Sequence, residues 1–482
     1  MINYLYIFPE IIITSALCFI IVLDLFLPSR LKYISYYLIQ FSLIFCAYYI
    51  YSHFSYLNTN VSQLYDTSIF SNTFKIFILL SLAIIFYYTA VFLRYFNIYQ
   101  TEYFLITMFG LLGMMIMISS QNLILLYLGI ELLSLSLYSV IAFNKNSLFS
   151  SEAAVKYYIL GAISSGFLLF GISLIYGLTG SLSFNEIFIH ISSLEVLNNM
   201  DNVQIIGLLF ALIFILISLS FKFGAAPFHM WIPDVYHGSV ITTTLLLSTI
   251  PKIAVFVILI KLLASVFSGL LLFWTDMTIV LSVLSILIGN IIAISQTNIK
   301  RMLAYSTIAN IGFILLGLSV GSIIGYKAAM FYTLTYVITT IAAFGLLSQL
   351  VYEKKPIENI NDLSGLNSSS PFTAFLLMII LLSYIGIPPF IGFHAKLLII
   401  QSLVETNNIS LGIFAVLMTV IGSFYYLRVI KVIYFDESKN DLSTTSKLHL
   451  TGIYIMGLVL LGLLPDILGQ LSQYSISNLF NT

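Results

Sequence analysis

Apolar residues come in long unbroken runs along this chain instead of alternating with polar ones. A helix needs about 20 such residues to cross a bilayer core, and runs of that length predict about 14 spans. Their centres fall near residues 17, 43, 83, 111, 132, 166, 214, 251, 283, 310, 338, 388, 422 and 459. A closed strand barrel would show alternation, so the expectation is an all-α integral membrane protein. Ile7–Leu27 reads as a retained span, because no basic n-region precedes it and no small-residue cleavage site follows.

Composition agrees. Of 482 residues, 60% are hydrophobic and 8% charged, where soluble domains carry roughly 25% charged residues. With a mean hydropathy of +1.06, lipid must solvate most of the surface. The net charge is zero, so nothing points to nucleic acid. Cys18 and Cys46 are too few to hold an iron–sulfur cluster or a four-cysteine zinc site. Neither G-x-G-x-x-G nor G-x-x-x-x-G-K-[ST] occurs, and no metal-ligand spacing is convincing. The chain is therefore expected to bind no redox centre, nucleotide or metal by itself.

The 19 Lys and Arg residues set an orientation. Arg30, Lys32, Arg94, Lys145, Lys300, Arg301, Lys354, Lys355, Arg428, Lys431, Lys439 and Lys447 fall at connections that follow odd-numbered spans. Only Lys75, Lys261 and Lys327 lie toward the other face. The positive-inside rule makes the first face the cytoplasm or mitochondrial matrix. Both termini then lie on the opposite side.

The chain also resembles itself. Ser120-Gln121-Asn122 is similar to Ser295-Gln296-Thr297-Asn298, and Glu152-Ala153-Ala154 with Tyr157 to Lys327-Ala328-Ala329 with Tyr332. Lys222 pairs with Lys396, each beside a Pro-Phe and a histidine (Pro227, Phe228, His229; Pro389, Phe390, His394). The offset stays near 175 residues and covers about five spans, an odd number, so the second copy is inverted. The predicted layout is a three-helix segment at 1–98, repeats at 99–268 and 269–437, and a C-terminal helix with a short tail at 438–482.

Two spans are too long for one straight crossing and hold prolines: Pro227 and Pro233 in the first, Pro388 and Pro389 in the second. Proline removes a backbone donor and frees carbonyls, which membrane depth tolerates only where protein or internal water satisfies them. Glu131, Lys156, Lys222, Lys252 and Lys396 interrupt apolar stretches, and of these the matched Lys222 and Lys396 each lie within about two turns of a break. Charged residues in spans usually face a paired or wet interior. They are candidates for a chain of proton-carrying groups, with His229 as a possible relay. The competing reading is static salt bridging and snorkelling, which fits Lys156 best because it lies near the basic face.

At these residues the chain resembles the antiporter-like membrane subunits of proton-pumping NADH:quinone oxidoreductase, respiratory complex I. The carrying motifs are Leu128-Gly129-Ile130-Glu131-Leu132, the run from Glu152 to Gly161 around Lys156, Phe221-Lys222 with Ala226-Pro227-Phe228-His229-Met230-Trp231-Ile232-Pro233-Asp234-Val235-Tyr236, Lys300-Arg301-Met302-Leu303-Ala304-Tyr305-Ser306, and Gly386-Ile387-Pro388-Pro389-Phe390 with Lys396. The resemblance covers about residues 100 to 435, and the combination is most similar to the N-type branch.

The resemblance implies roles. Glu131 would couple to Lys222, Lys252 would connect the two halves, and Lys396 would be the terminal lysine. Lys156 and His229 match further positions on the polar axis. NADH, FMN, iron–sulfur clusters and ubiquinone would belong to the assembly, and the partners would be neighbouring antiporter-like and other membrane-arm subunits. Val240 stands where the family commonly has proline, and Asn310 where many members carry histidine. The alternatives are a subunit of a multi-component cation/proton antiporter and a membrane scaffold. The richness in Ile, Phe, Tyr and Asn suggests an AT-rich genome and favours the mitochondrial inner membrane, with a bacterial inner membrane as the alternative.

Overall fold

The computed structural model describes residues 7–28, 31–54, 64–194, 203–352, 355–437, 442–444 and 449–480. Arg30, Lys354, Lys439 and Lys447, used above to orient the chain, lie outside the described residues.

Three helices open the chain: α1 (Phe8–Phe26), α2 (Tyr33–Ser52) and α3 (Ile69–Tyr95). The first repeat then runs through α4 (Thr101–Ser119), α5 (Leu123–Ile141), α6 (Leu148–Thr179), the short α7 (Phe184–Ser193), α8 (Val203–Phe223), α9 (Trp231–Gly238), α10 (Ile241–Ser248) and α11 (Ile250–Ile260), which continues into a π-helical turn at Lys261–Val266. The second comprises α12 (Leu271–Ser295), α13 (Ile299–Leu318), α14 (Ile323–Gln349), the single turn α15 (Leu366–Ser369), α16 (Pro371–Ile385), α17 (Ile391–Glu405) and α18 (Ile409–Phe435). Then α19 (His449–Leu463) and α20 (Asp466–Phe480) close the chain.

Among the described residues, 12 helices are long and apolar enough to cross a membrane, and the bent pair α19–α20 supplies a thirteenth if it is one span. The remaining predicted span, centred near residue 388, is the pair α16 and α17 with the break between them. The bundle is helical as expected, with one addition. A small antiparallel sheet joins the ends of two spans, in the order β2 (Lys355–Pro356), β1 (Leu350–Tyr352), β3 (Leu442–Thr444). The short tail is also more ordered than expected: after a 75° bend it forms α20, which packs on α3 and α14.

Burial separates the centre from the rim. The most apolar window of the α10–α11 span is 100% buried, against 28% in α1 and in α18. The outer helices therefore meet lipid or neighbouring subunits, and the middle of the bundle is enclosed by protein. Polar groups there need partners from the protein or internal water.

The internal repeat is visible in the backbone. Asn122 caps α5, its side chain accepting from Ile124 N at 2.9 Å, and forms an antiparallel bridge with Ser183. Asn298 caps α13 in the same way, accepting from Arg301 N at 3.1 Å, and bridges to Asn359. The first bridge follows the fourth span and the second follows the ninth, so parity puts them on opposite membrane faces. The offset near 175 residues does not persist into the breaks. There Gly224 (φ +89°) and Gly386 (φ +86°) correspond, 162 residues apart (386 − 224). The second copy takes fewer residues between its bridge and its break.

Two cations read as lying toward the face of the termini turn inward. Lys75 pairs with Glu10 at 2.7 Å and Lys261 with Asp66 at 2.5 Å, all four side chains being buried. These pairs fasten α1 to α3, and the segment before α3 to the π-helical turn. Burial by itself would raise the Asp66 carboxyl, but the Lys261 ammonium, with Ser71 Oγ and Ser68 N, outweighs it and holds Asp66 below its ordinary range.

Candidate functional site

The first break separates α8 from α9. Pro227 lies in the connecting loop, and the Ala226–Pro227 peptide is cis. Pro233, expected to break the helix, instead sits in the first turn of α9, where backbone N–H groups have no intrahelical partner to lose. The carbonyls freed at the end of α8 are all taken. Trp231 Nε1 donates to Phe221 O at 2.9 Å. Lys252 Nζ donates to Lys222 O at 3.2 Å and to Phe223 O at 2.8 Å. The Lys252 ammonium also lies 4.7 Å from the Trp231 ring centroid, a cation–π distance.

The second break, between α16 and α17, holds Pro388 and Pro389, joined by a cis peptide. Lys396 Nζ donates to Tyr384 O and Ile385 O, both at 3.0 Å. In the 162-residue register those two carbonyls correspond to Lys222 O and Phe223 O. The sequence pairing of Lys222 with Lys396 is therefore corrected. Lys222 precedes its break and Lys396 follows its own, and the ammonium that matches Lys396 in place is that of Lys252. A mismatch of 13 residues between two offsets (175 − 162) concealed this.

Glycine makes room for each ammonium. A Cβ on Gly224 would lie 3.3 Å from Lys252 Nζ and 2.1 Å from Ile232 Cδ1. One on Gly386 would lie 3.1 Å from Lys396 Cδ. Both glycines also have positive φ, which disfavours any side chain.

Lys222 itself is buried at the end of α8. Its ammonium donates to Ser134 Oγ at 2.6 Å rather than to the expected Glu131. Ser134 lies one turn beyond Glu131 on α5, and the described residues contain no Glu131–Lys222 ion pair within 4.0 Å. Glu131 Oε1 is buried without a hydrogen-bond partner among the described residues. His229 lies in the first break with Nδ1 likewise buried and unpartnered.

Lys156 departs from expectation. It is 45% exposed and pairs with Glu152 at 2.8 Å and Asp234 at 3.1 Å, and Arg301 holds the same Asp234 at 2.9 Å. It is a member of an accessible ion cluster near the basic face, as the competing reading had it. Lys300, read as a loop cation, is buried instead and donates to His237 O at 2.7 Å and Ser239 O at 3.0 Å.

The second repeat also holds a row of hydroxyls that the apolar-run reading missed. The Tyr336 hydroxyl lies 3.0 Å from Ser248 O and 3.0 Å from Thr307 Oγ1. Thr340 Oγ1 donates to Tyr336 O at 2.6 Å and accepts from the Tyr384 hydroxyl at 2.9 Å, and Tyr384 O holds Lys396. A side branch passes from the Tyr332 hydroxyl to Asn310 Oδ1 at 2.8 Å, from Asn310 Nδ2 to Ser306 O at 2.8 Å, and from Ser306 to the Tyr426 hydroxyl. Asn310 thus has a place in the row although it cannot titrate. The overlooked signal was the spacing of Tyr332, Tyr336 and Thr340, four residues apart on one face of α14.

A helical bundle with two broken spans, each break capped by an internal lysine, defines an antiporter-like membrane protein. Residues 120–422 match the family described as NADH:quinone oxidoreductase/Mrp antiporter transmembrane proteins, and the chain belongs to this family. It is 43% identical to the NADH-quinone oxidoreductase subunit N of Thioalkalivibrio sulfidiphilus, over 98% of each chain. It is 41% identical to the subunit N of Herminiimonas arsenicoxydans, over 95% of this chain and 96% of that one. Respiratory complex I from Thermus thermophilus contains a chain of similar structure, with TM-score 0.78 and 26% identity, covering 96% of this chain and 98% of that one. The Mrp complex from Dietzia shares the fold, with TM-score 0.82 at 19% identity, over 99% and 97% of the two chains.

Proposed function

We propose that this chain is the N-type membrane-arm subunit of an NADH:quinone oxidoreductase and moves protons across the membrane while quinone is reduced elsewhere in the complex. The observation that carries the reading is the pair of break-capping ammonium groups, Lys252 on Lys222 O and Phe223 O and Lys396 on Tyr384 O and Ile385 O, together with the hydroxyl contacts of Tyr336, Thr340 and Tyr384 in the second repeat. Ammonium groups and hydroxyls supply both proton donors and acceptors inside an otherwise apolar bundle. Lys222 with Glu131 forms the loading end, Lys252 the junction between the halves, and Lys396 the terminal group. His229, in the first break with Nδ1 unpartnered among the described residues, is the proposed relay. NADH, FMN, iron–sulfur clusters and ubiquinone belong to other subunits of the assembly.

The repeats are assigned to 99–268 and 269–437, between the three-helix segment 1–98 and the closing segment 438–482. The membrane is a bacterial inner membrane, because the curated relatives named above come from bacteria. The distribution of basic residues puts both termini on the periplasmic side.

The test has two stages. Purification in mild detergent is expected to bring the chain down with flavin and iron–sulfur proteins that oxidise NADH; co-migration with cation-antiporter subunits and no NADH oxidation would favour the antiporter reading instead. In the assembled complex, Lys396→Met is expected to lower the protons moved per NADH. Normal proton movement in a fully assembled mutant would remove Lys396 from the pathway.

A further inference from the structure

The half-helix α9 is only eight residues long, too short to hold its position by helix propensity alone. It is tied down from three sides. At its far end Lys300 of α13 takes the His237 and Ser239 carbonyls. At its middle Asp234 accepts from Lys156 of α6 and from Arg301 of α13. At its near end Trp231 stacks on Tyr157 of α6, with centroids 4.4 Å apart, and holds Phe221 O.

Two neighbouring residues of α6, Lys156 and Tyr157, therefore meet two residues of α9 one turn apart, Asp234 and Trp231. Arg301 brings in the second repeat through the same carboxylate. The Trp231 ring lies beneath the Lys252 ammonium, so any movement of α9 alters the surroundings of that cation. In the 162-residue register Asp234 stands where the second copy has Lys396. The same position thus carries an accessible anion in one copy and the break-capping cation in the other.

We propose that Asp234 is a positioning residue. By holding Lys156 and Arg301 together it fixes α9, and with it the Trp231 ring under Lys252 and on the freed carbonyl of the first break. Lys156 then acts through Asp234 as a strut. The consequence for pumping rests on Lys252 belonging to the proton pathway, while the consequence for α9 does not.

The test uses the complete complex, with Asp234→Asn and the rescue variant Asp234→Glu, both checked for assembly. Backbone amide exchange of the segment 231–238 is expected to quicken by about five- to tenfold in Asp234→Asn, the change that two lost exposed ion pairs produce together. Protons moved per NADH are expected to fall while NADH oxidation persists, and Asp234→Glu is expected to restore both readouts. Unchanged exchange in assembled Asp234→Asn would overturn the proposal, as would a defect that Asp234→Glu leaves untouched. If Asp234→Asn does not assemble, Lys156→Gln and Arg301→Gln each remove one tie. Faster exchange in each supports the positioning role, and no change in either overturns it. Should Lys222→Met and Lys396→Met both pump normally, the pumping reading falls and the exchange result alone judges Asp234.

Discussion

The ammonium groups of Lys252 and Lys396 hold corresponding pairs of carbonyls, Lys222 and Phe223 in one break, Tyr384 and Ile385 in the other. They arrive by different routes. Lys252 reaches over from the next span, whereas Lys396 sits on the second half of its own broken span. A cation at a helix C-terminus is favoured by the partial negative charge of the unpaired carbonyls, so the breaks themselves select the positions of these lysines. An ammonium that trades those carbonyls for a hydroxyl or a water can pass on its proton.

Lys252→Met and Lys396→Met should behave alike. Each leaves two buried carbonyls without donors, and hydrogen bonds to charged groups contribute about 1.5–3 kcal/mol. Both variants should lower the thermal stability of the assembled complex in detergent and reduce dye-reported acidification in proteoliposomes. If one variant pumps normally and the other not at all, the two breaks do not share a role.

The glycines beside them should not behave alike. Gly224→Ala drives a methyl to 2.1 Å from Ile232 Cδ1, whereas Gly386→Ala meets only Lys396 Cδ at 3.1 Å. Both add a left-handed backbone cost of roughly 1–2 kcal/mol. Gly224→Ala should therefore destabilise more, as judged by thermal melting with assembly monitored. Equal melting temperatures would show that the first break yields easily around Ile232.

Tyr336→Phe removes the hydroxyl that joins Ser248 O to Thr307 and keeps the ring. Burying the freed partners costs about 1–3 kcal/mol, which should leave assembly intact. Proton movement per NADH should drop markedly. Unaltered coupling would mean that protons cross between Lys252 and Lys396 without this hydroxyl.

Ser134 and Glu131 can be told apart. Ser134→Ala deletes the present partner of Lys222 and leaves the Glu131 carboxylate one turn away as the remaining acceptor, so pumping should survive. Glu131→Gln removes the only titratable group of that pair and should abolish most of it. The opposite ranking in a pumping assay would transfer the loading role to the serine.

Acid should loosen the tie between Asp66 and Lys261. The Asp66 carboxyl is held below its ordinary value, so its stabilisation is full above the unfolded aspartate pKa of about 3.9. It is lost as pH falls through the lower folded value. Asp66→Asn should be destabilised at neutral pH by about 3–5 kcal/mol, as expected when one partner of a buried ion pair is removed, and the deficit should shrink below pH about 4. Thermal melts of the two proteins across pH measure it, and a deficit that does not vary with pH would exclude the ion pair as its source.

Hydropathy alone determined the class of this protein, the places of its spans and four of its five candidate charges as internal groups, because lipid accepts so few polar residues that exceptions stand out. It also revealed the two breaks, since Pro227 and Pro388-Pro389 cannot continue a helix. Proline at 233 was misread because its effect depends on where in a helix it falls, and only the helix start at Trp231 settles that. The hydroxyl row of Tyr336, Thr340 and Tyr384 was invisible, for such residues are common in spans and their meaning lies in which neighbours they touch. Lys156 and Lys300 exchanged expected roles, one accessible and one buried, because a residue's place along the chain does not say which side of its helix is covered. The correspondence of Lys396 with Lys252 belongs to the tertiary structure alone. It depends on a carbonyl pair reached from two different helices, and the packing of helices in space, not their order in the chain, brings those ammonium groups there.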